Sequence, residues 1–506
     1  MDTLHQDFEA ITITGYYTRD IRFPTSLQDE GSDAMNGAVD FSNPYCVLQT
    51  NSEYEGHGVV SSESTTFFNV THPLTRLQSF TIGRGNNLVC AAIDMLAPLL
   101  VNRSLASLTS NMGNTWRYLA SDSQLRWVGP EKGVVHLAQS AVVNAIWDLW
   151  AKSQGKPVWR LVAEMSPEEY VRCIDFRYIT DAITPEEGIE LLRKQELGKA
   201  ERLEEVEKNK AVPIYTTSAS WLGYSDEKMR GLLEQSKIDG FHHYKLKVGG
   251  DLERDLRRLK LFRDTVGWDD ILMLDSNQIW SVPEAESYLS HLAPFKPLFI
   301  EEPTSPDDIL GHATIRAALR KYNIKVATGE HCQNRIIFKQ FLQAEALDYV
   351  QTDACRLGGL NEVMAVMLMA AKFHIPLHPH IGGVSLPEYS QHVITIDYLV
   401  VSGRRSVLEY IDALHEHFYH PAQIANGFHV TPTAPGYSVH MKPASMERFS
   451  FPGGEGGWWK SQEAEKLLTL ERTVGWRPAF GKGHKDVVGV QLKGNDAAFA
   501  NDDGRT

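Results

Sequence analysis

YKLKVGG (244–250), ILMLDSNQ (271–278) and PLFIEEP (297–303) begin the repeated pattern that decides the fold. Each is a short apolar run that ends in charged side chains and is followed by a helical stretch. The pattern continues through KVATGEH (325–331), DYVQTDACRLGG (348–359), IPLHPHIGG (375–383) and SVLEYID (406–412). Counted from Lys247, the charged or imidazole residues recur at steps of 28, 26, 29, 23, 27 and 29 residues. Each step has room for one strand, one helix and two short loops, so we predict successive βα units.

Repeated βα units of this kind predict a (β/α)7β TIM-like barrel, with IYTTSASW (214–221) as the first strand. In such a barrel the carboxyl ends of all strands meet at one face, where active sites are built. A single polar residue after an apolar run is usually a helix cap or a loop charge. Because seven such residues recur in phase, we expect them to surround one pit at the barrel mouth.

A chain of 506 residues exceeds one average domain, so a second domain is expected. Strand-like segments at 11–24 and 45–50, followed by amphipathic helices near 87–100 and 133–154, predict an N-terminal α+β capping domain. CIDFRYI (173–179) is a further strand candidate. We place the capping domain at 1–165, with an insertion at 59–79, and the barrel at 166–415. Residues 416–460 are expected to return to the capping domain, and 461–506 to form a poorly ordered tail.

Composition excludes several classes of function. A net charge of −14 argues against binding to nucleic acid, which favours basic surfaces. The sequence has no apolar run long enough to cross a membrane and no apolar core of the signal-peptide type near Met1, so we expect a cytoplasmic protein. Five scattered cysteines lack zinc-ligand spacing and are expected to be reduced thiols.

Three carboxylates stand at the ends of consecutive predicted strands: Asp275, Glu301 and Glu330. Carboxylate oxygens that converge on one point suit Mg²⁺, which prefers oxygen ligands and keeps positions open for substrate. Without a cation the three groups would repel one another and their pKa values would rise. The sequence therefore predicts a magnesium site at these residues.

Lys245 and Lys247 are two residues apart, so on one strand both side chains point into the barrel mouth. Two such lysines could simply neutralise the carboxylates, and this interpretation suits Lys245 best. A lysine desolvated among cations loses its proton more easily, which makes Lys247 a candidate general base.

Asp353 and His380 end neighbouring predicted strands on the other side of the barrel. A carboxylate in that place could hold one imidazole nitrogen and orient the other towards substrate. His378 points the same way by parity, so the residues alone leave the choice of histidine open. A base, an acid and a metal, with Glu409 hydrogen-bonding a substrate carboxylate, are the groups needed to remove a proton α to a carboxylate.

The KLK, DSNQ, FIEEP, TGEH, TDACRLGG and HPHIGG motifs together resemble those of the enolase superfamily, in its mandelate-racemase-like branch. RDIRFPTSL (19–27), QLRWVGPEKGVVHLA (124–138) and LEYIDALHEHF (408–418) resemble more narrowly the acid-sugar dehydratases of that branch, which act on L-fuconate and, in fungi, on L-galactonate. The resemblance spans roughly residues 11–460, apart from 59–79.

The resemblance implies dehydration of a six-carbon L-aldonate to its 2-keto-3-deoxy product, with L-galactonate favoured and L-fuconate as the alternative. Lys247 would take the C2 proton, and His380, paired with Asp353, would protonate the departing 3-hydroxyl. Mg²⁺ would occupy the three-carboxylate site, while Lys245 and Glu409 would assist at the substrate carboxylate.

The same resemblance implies that the GSDAMN loop (31–36) covers the substrate and helps to select it. Ser32, Asp33 and Met35 of this loop, together with Asn277 of DSNQ, are therefore the candidate substrate-binding residues. The expected partner is a small aldonate, without nucleic acid or membrane, and a homo-oligomer is left open.

Two alternatives remain at this stage. A racemase could use the same base and acid to move the proton between two faces of C2. An inactive relative could serve as a binding protein, but it should lack a ligand or a base, and none is missing from the sequence.

Overall fold

The computed structural model describes residues 8–28, 30–35, 38–60, 62–66, 85–208 and 212–466, without the side chains of 38, 39 and 62–66. The predicted insertion at 59–79 and the predicted tail at 461–506 therefore lie mostly outside the described residues. Among the described residues, no helix is long and apolar enough to cross a lipid bilayer.

An antiparallel sheet and a group of helices form the N-terminal part of the chain. Its strands are β1 (Ile13–Arg22), β2 (Ala38–Thr50), β3 (Gly56–Val59) and β4 (Ser62–Thr66). β2 pairs with each of the other three. The helices are α1 (Asn86–Leu96), α2 (Leu105–Thr109), α3 (Met112–Ala120), α4 (Leu125–Val128), α5 (Gly133–Ser153), α6 (Val158–Ala163) and α7 (Pro167–Arg172). The predicted strands at 11–24 and 45–50 and both predicted amphipathic helices are confirmed.

A parallel sheet follows, with strands β5 (Ile214–Thr216), β6 (His243–Lys247), β7 (Ile271–Asp275), β8 (Phe299–Glu301), β9 (Lys325–Thr328), β10 (Tyr349–Val350) and β11 (Leu408–Tyr410). The order from β5 to β10 follows the chain, and β11 pairs with β5. A parallel bridge between Val350 and Leu377 adds the seventh position. The amide of Ile381 donates to the Glu409 carboxylate over 2.8 Å, which links that position to β11. The predicted (β/α)7β barrel is confirmed.

Helices α8 (Pro185–Gln195) and α9 (Lys199–Glu207) precede the parallel sheet. Its strands are separated along the chain by α10 (Asp226–Ile238), α11 (Leu252–Val266), α12 (Val282–Leu292), α13 (Ile309–Leu319), α14 (Arg335–Gln343), α15 (Leu360–Lys372) and α16 (Leu386–Ile396). Side chains alternate along β7, as they must in a strand. Leu272 and Leu274 join the large apolar core, whereas Met273 joins a separate cluster with Tyr215 and Phe299 inside the barrel. Asp275 continues the Met273 side, so an apolar layer underlies the charged mouth.

Beyond the barrel, the chain forms β12 (Ile424–Ala425), β13 (Phe428–His429) and α17 (Pro443–Phe449). The Phe451 amide donates to the Asp20 carbonyl over 2.7 Å, and the Trp459 indole donates to the Arg22 carbonyl over 3.0 Å. The C-terminal segment thus contacts the N-terminal sheet, while the boundaries assigned to the domains stay a prediction.

The predicted strand at 173–179 is wrong, because these residues form turns. The β-branched and aromatic content of this segment suggested a strand, but a buried carboxylate determines its conformation. Asp175 accepts hydrogen bonds from the Arg177 amide over 3.0 Å and from its guanidinium over 2.7 Å. Tyr178 then takes a positive φ of 69°, which is incompatible with a strand.

The turn after β6 is held by a buried carboxyl group on α11. Gly249 has a φ of 100°, and its amide donates to Asp255 over 2.6 Å. The Tyr288 hydroxyl donates to the same oxygen over 2.8 Å. Because this turn directly follows Lys247, Asp255 helps to fix one edge of the barrel mouth.

Asp255→Asn should weaken the pH dependence of stability. Burial raises the pKa of Asp255 from 3.8 to about 6, so between these values the folded state binds the proton more tightly than the unfolded state. The stabilisation is complete below the unfolded pKa and is lost as pH rises through about 6. We expect the wild type to lose up to about 3 kcal/mol more than the variant between pH 4 and 7. Thermal unfolding midpoints across this range provide the measurement, and parallel pH profiles would contradict the prediction.

Candidate active site

Asp275, Glu301 and Glu330 lie together at the mouth of the barrel, as predicted. Each offers a carboxylate oxygen, and these ligand atoms lie within 4.8 Å of one another. All three side chains are buried. Glu301 Oε1 has no hydrogen-bond partner, although buried polar atoms normally have one. Converging hard oxygens with unused acceptor capacity fit a divalent cation such as Mg²⁺.

Electrostatics in the cluster are those of a site that requires positive charge. Burial and the neighbouring Asp275 carboxylate raise the pKa of Glu301 well above its ordinary value. Burial would also raise the pKa of Glu330, but His380 and His331 outweigh it and lower that pKa. The carboxylates therefore depend on nearby cationic groups to stay ionised together.

Lys245 is the innermost of these cationic groups and is almost fully buried. Its ammonium lies 2.8 Å from Glu301 and 2.7 Å from Glu409. Burial opposes the charge, but the two carboxylates hold the pKa of Lys245 well above its ordinary value. The interpretation of Lys245 as a neutralising cation fits these contacts.

Lys247 lies nearer the opening and contacts a different set of groups. Its ammonium is 2.6 Å from Asp275 and donates to the Asn277 side chain over 3.1 Å. Burial lowers the pKa of Lys247, but Asp275 outweighs it, so the net shift is upwards. The sequence-based expectation is a lowered pKa for Lys247. The shift has the opposite direction because the attraction of the Asp275 carboxylate for the ammonium outweighs the effect of burial.

His380 and Asp353 form the predicted pair. His380 Nδ1 is 3.1 Å from Asp353 Oδ2, and Nε2 is 3.1 Å from Glu330 Oε2. Burial opposes protonation, yet Glu330 and Asp353 raise the pKa of His380 to about 10. Lys247 lies at the second barrel position and His380 at the seventh. Around the barrel, two strands separate these positions in one direction and four separate them in the other. The two groups therefore approach the carboxylate cluster from different sides.

The structure distinguishes His378 from His380. His378 lies deeper in the barrel, with its ring centroid 4.5 Å from that of Tyr349. Burial lowers its pKa to about 3, so it is neutral. Both histidines lie on the same face of the strand because they are two residues apart. They differ in depth, since His378 lies one layer further into the barrel than His380.

Sequence reasoning missed Gln351 and His331 as site residues. The Gln351 side chain donates to Glu301 over 2.7 Å, and its position two residues before Asp353 could have indicated the shared face. His331 lies 3.1 Å from Glu330 and 3.0 Å from Glu302. Burial opposes the charge, but Glu302 raises its pKa well above the ordinary value.

The loop predicted to cover the substrate lies over the loop that follows β5. The Ser32 hydroxyl accepts from the Gly223 amide over 2.8 Å, and the Ser32 carbonyl accepts from the Leu222 amide over 2.9 Å. Asp33 is buried and contributes to the electrostatics at Lys247. Met35 is half-buried, and its amide donates to Asp33 over 2.7 Å. Asn36, the last residue of the predicted loop, lies outside the described residues.

Comparison with known proteins identifies the family of this chain. The family model for "Enolase C-terminal domain-like" matches residues 228–445. The L-galactonate dehydratase of Hypocrea jecorina is 58% identical over 465 residues, which cover 91% of this chain and 99% of that protein. The chain belongs to the enolase superfamily.

Other members of the enolase superfamily extend the comparison. Human mitochondrial enolase superfamily member 1 is 49% identical over 441 residues, which cover 86% of this chain and 95% of the human protein. Its crystal structure matches with a TM-score of 0.82, at 48% identity, over 88% of this chain and 97% of that one. The L-talarate/galactarate dehydratase of Salmonella typhimurium, solved with Mg and L-lyxarohydroxamate, matches with a TM-score of 0.66, at 22% identity, over 87% and 93% of the two chains. At that identity, the match shows the shared fold.

Mg²⁺ should stabilise the wild-type protein after chelator treatment and should stabilise Glu301→Gln far less. The cation relieves the repulsion between buried carboxylates, and the amide keeps the side-chain size but removes one charged ligand. Isothermal titration and thermal unfolding with increasing Mg²⁺ measure the effect. Glu345→Gln, at an exposed residue just beyond the C-terminal end of α14, is the control and should respond as the wild type does. Equal stabilisation of wild type and Glu301→Gln would contradict the assignment.

Proposed function

We propose that this protein is a Mg²⁺-dependent hydro-lyase that converts an L-aldonate, L-galactonate in the first instance, to its 2-keto-3-deoxy product. The observation that carries the proposal is the arrangement of Lys247 and the His380–Asp353 pair around one three-carboxylate cluster. The 58% identity with an L-galactonate dehydratase supports the choice of substrate.

In the proposed reaction, the Lys247 amine removes the proton from C2 of the aldonate. Asn277 and Asp275 hold the Lys247 nitrogen at the edge of the cluster. To act as a base, Lys247 must first lose its proton, which its contact with Asp275 opposes. Asp275, Glu301 and Glu330 would hold a divalent cation, which would offset that carboxylate charge and supply Lewis-acid stabilisation of negative charge at the substrate carboxylate.

Elimination requires a proton at the departing 3-hydroxyl, and the proposal assigns its supply to His380. Asp353 accepts at Nδ1 and so turns Nε2 towards the cluster. The raised pKa of His380 keeps the imidazole protonated at neutral pH, as a general acid must be. The C2 electron pair forms the C2–C3 double bond of an enol as water leaves, and the enol then tautomerises to the 2-keto acid.

Lys245 and Glu409 complete the proposed site at the substrate carboxylate. Lys245 contributes positive charge beside Glu301, while Glu409 is held by the Lys245 ammonium and the Ile381 amide. Ser32, Asp33 and Met35 are proposed to limit the length and polarity of the substrate from the capping side.

Purified protein with Mg²⁺ should convert L-galactonate to a 2-keto-3-deoxy acid, detected as its semicarbazone. L-Fuconate differs mainly at C6, so it is the comparison substrate, with a lower expected kcat/KM. Proton NMR of substrate recovered from D₂O distinguishes a racemase, which would give the C2 epimer without dehydration. Folded, metal-loaded protein that leaves a full aldonate panel unchanged would favour the inactive binding protein and contradict the proposal.

Lys247→Ala and His380→Asn should each reduce kcat by about 1000-fold or more, because each removes one proton-transfer group. Circular dichroism should show folded protein in both cases. His378→Asn alters the neighbouring histidine of the barrel. The folded fraction of this variant should retain much more activity than His380→Asn does. Wild-type turnover by Lys247→Ala or His380→Asn would refute the role of that residue.

We also propose the division into a capping domain at 1–165, a barrel at 166–415 and a returning segment at 416–460. The proposed compartment is the cytoplasm. Fluorescence microscopy of the C-terminally tagged full chain tests the compartment, with mitochondrial signal as the contradicting outcome.

A further inference from the structure

The loop that carries Asp353 is held by side chains from helix α5, outside the barrel. Asn144 Nδ2 donates to the Ala354 carbonyl over 3.0 Å, and Asn144 Oδ1 accepts from the Leu360 amide over 3.0 Å. The Ser140 hydroxyl donates to the same Ala354 carbonyl over 2.8 Å. Asn144 and Ser140 are fully buried. One asparagine side chain thus clamps two points of this segment: Ala354, within the loop between β10 and α15, and Leu360, the first residue of α15.

The clamped loop determines which oxygen of Asp353 is available to His380. Asp353 Oδ1 accepts from the Cys355 amide over 2.7 Å and from the Arg356 amide over 3.0 Å. Oδ2 is the oxygen that contacts His380 Nδ1. Because Ala354 lies between Asp353 and these two amides, a displaced Ala354 carbonyl would rotate the carboxylate and the imidazole that it orients.

Close packing leaves the loop little freedom to find another conformation. Gly358 and Gly359 have φ values of 70° and 95°. A Cβ on Gly358 would lie 2.6 Å from the His136 ring, and one on Gly359 would lie 2.6 Å from Val143. The Trp116 indole donates to the Gly358 carbonyl over 2.9 Å. The loop therefore takes its shape from α3 and α5.

We propose that Asn144 is a positioning residue for the proton-donating arm of the site, acting through Ala354 and Asp353 on His380. The inference rests on the proposed function. It assigns helix α5 a part in the chemistry, in addition to its part in the core. Loss of the Asn144 contacts should impair protonation of the 3-hydroxyl more than removal of the C2 proton. The reason is that Lys247 lies on β6, away from the loop that Asn144 holds.

Two substitutions separate the two ends of the clamp. Asn144→Asp keeps an acceptor for the Leu360 amide but removes the donor to the Ala354 carbonyl. Asn144→Ala removes both. Asn361→Ala is the matched control, because Asn361 is buried and accepts from Trp147 over 2.8 Å and donates to the Cys173 carbonyl over 2.6 Å, without a contact to Ala354.

The measurement is dehydration of L-galactonate in D₂O, together with deuterium incorporation at C2 of the recovered substrate. For both Asn144 variants we expect kcat to fall by about 10- to 100-fold and KM to change by less than about threefold. The ratio of deuterium exchange at C2 to elimination should rise by about tenfold. Asn361→Ala should keep the wild-type ratio. Exchange and elimination that fall in parallel, or an unchanged kcat in folded Asn144→Ala, would overturn the proposal.

A second measurement does not depend on turnover. Long-range ¹H–¹⁵N spectra of protein with ¹⁵N-labelled histidine report the ring nitrogens of the 19 histidines, and the difference from His380→Asn identifies His380. The Nδ1 signal of His380 should shift in Asn144→Ala and Asn144→Asp but not in Asn361→Ala. An unmoved signal in the Asn144 variants would overturn the positioning role. Wild-type protein that dehydrates no aldonate while these shifts occur would instead overturn the proposed function alone.

Discussion

The burial of four carboxylates at one end of the barrel is the constraint on which the site depends. Asp275, Glu301, Glu330 and Glu409 are all shielded from water, and burial raises the free energy of each charged form. Lys245 contacts three of the four and thereby links the β7–β8 edge of the cluster to β11. The remaining negative charge is what suits this mouth to a divalent cation.

The strands of the barrel and the elements of the capping part contribute to the site in different ways. The barrel fixes the depth and spacing of the charged side chains, since each follows a strand of the same parallel sheet. The capping part determines how the loops beyond the strand ends are shaped. Ser32 holds the loop at Leu222 and Gly223, and Asn144 holds the loop that carries Asp353. The loop that carries Asp353 and the loop after β5 are thus both held from outside the barrel.

Sequence reasoning succeeded for features that follow from the period of the βα units. It failed for features that depend on depth in the barrel or on contacts between segments distant along the chain. The βα period was enough to place Lys247, Glu301 and the other strand-end residues at one mouth. It could not rank His378 against His380, because parity is identical and the two differ by one layer. Asn144 lies within an apolar helical stretch more than 200 residues from Ala354, so no local pattern indicates its contact.

The sequence by itself therefore determined the fold class, the three carboxylates and the candidates for a base and an acid at the strand ends, since local strand and helix periodicity encodes the positions of all of these. The tertiary structure alone decided how deep each histidine lies, which carboxylate oxygen contacts His380 and which helix shapes the loop that carries Asp353. These properties depend on packing between segments that are distant along the chain, and no spacing within one segment specifies such packing.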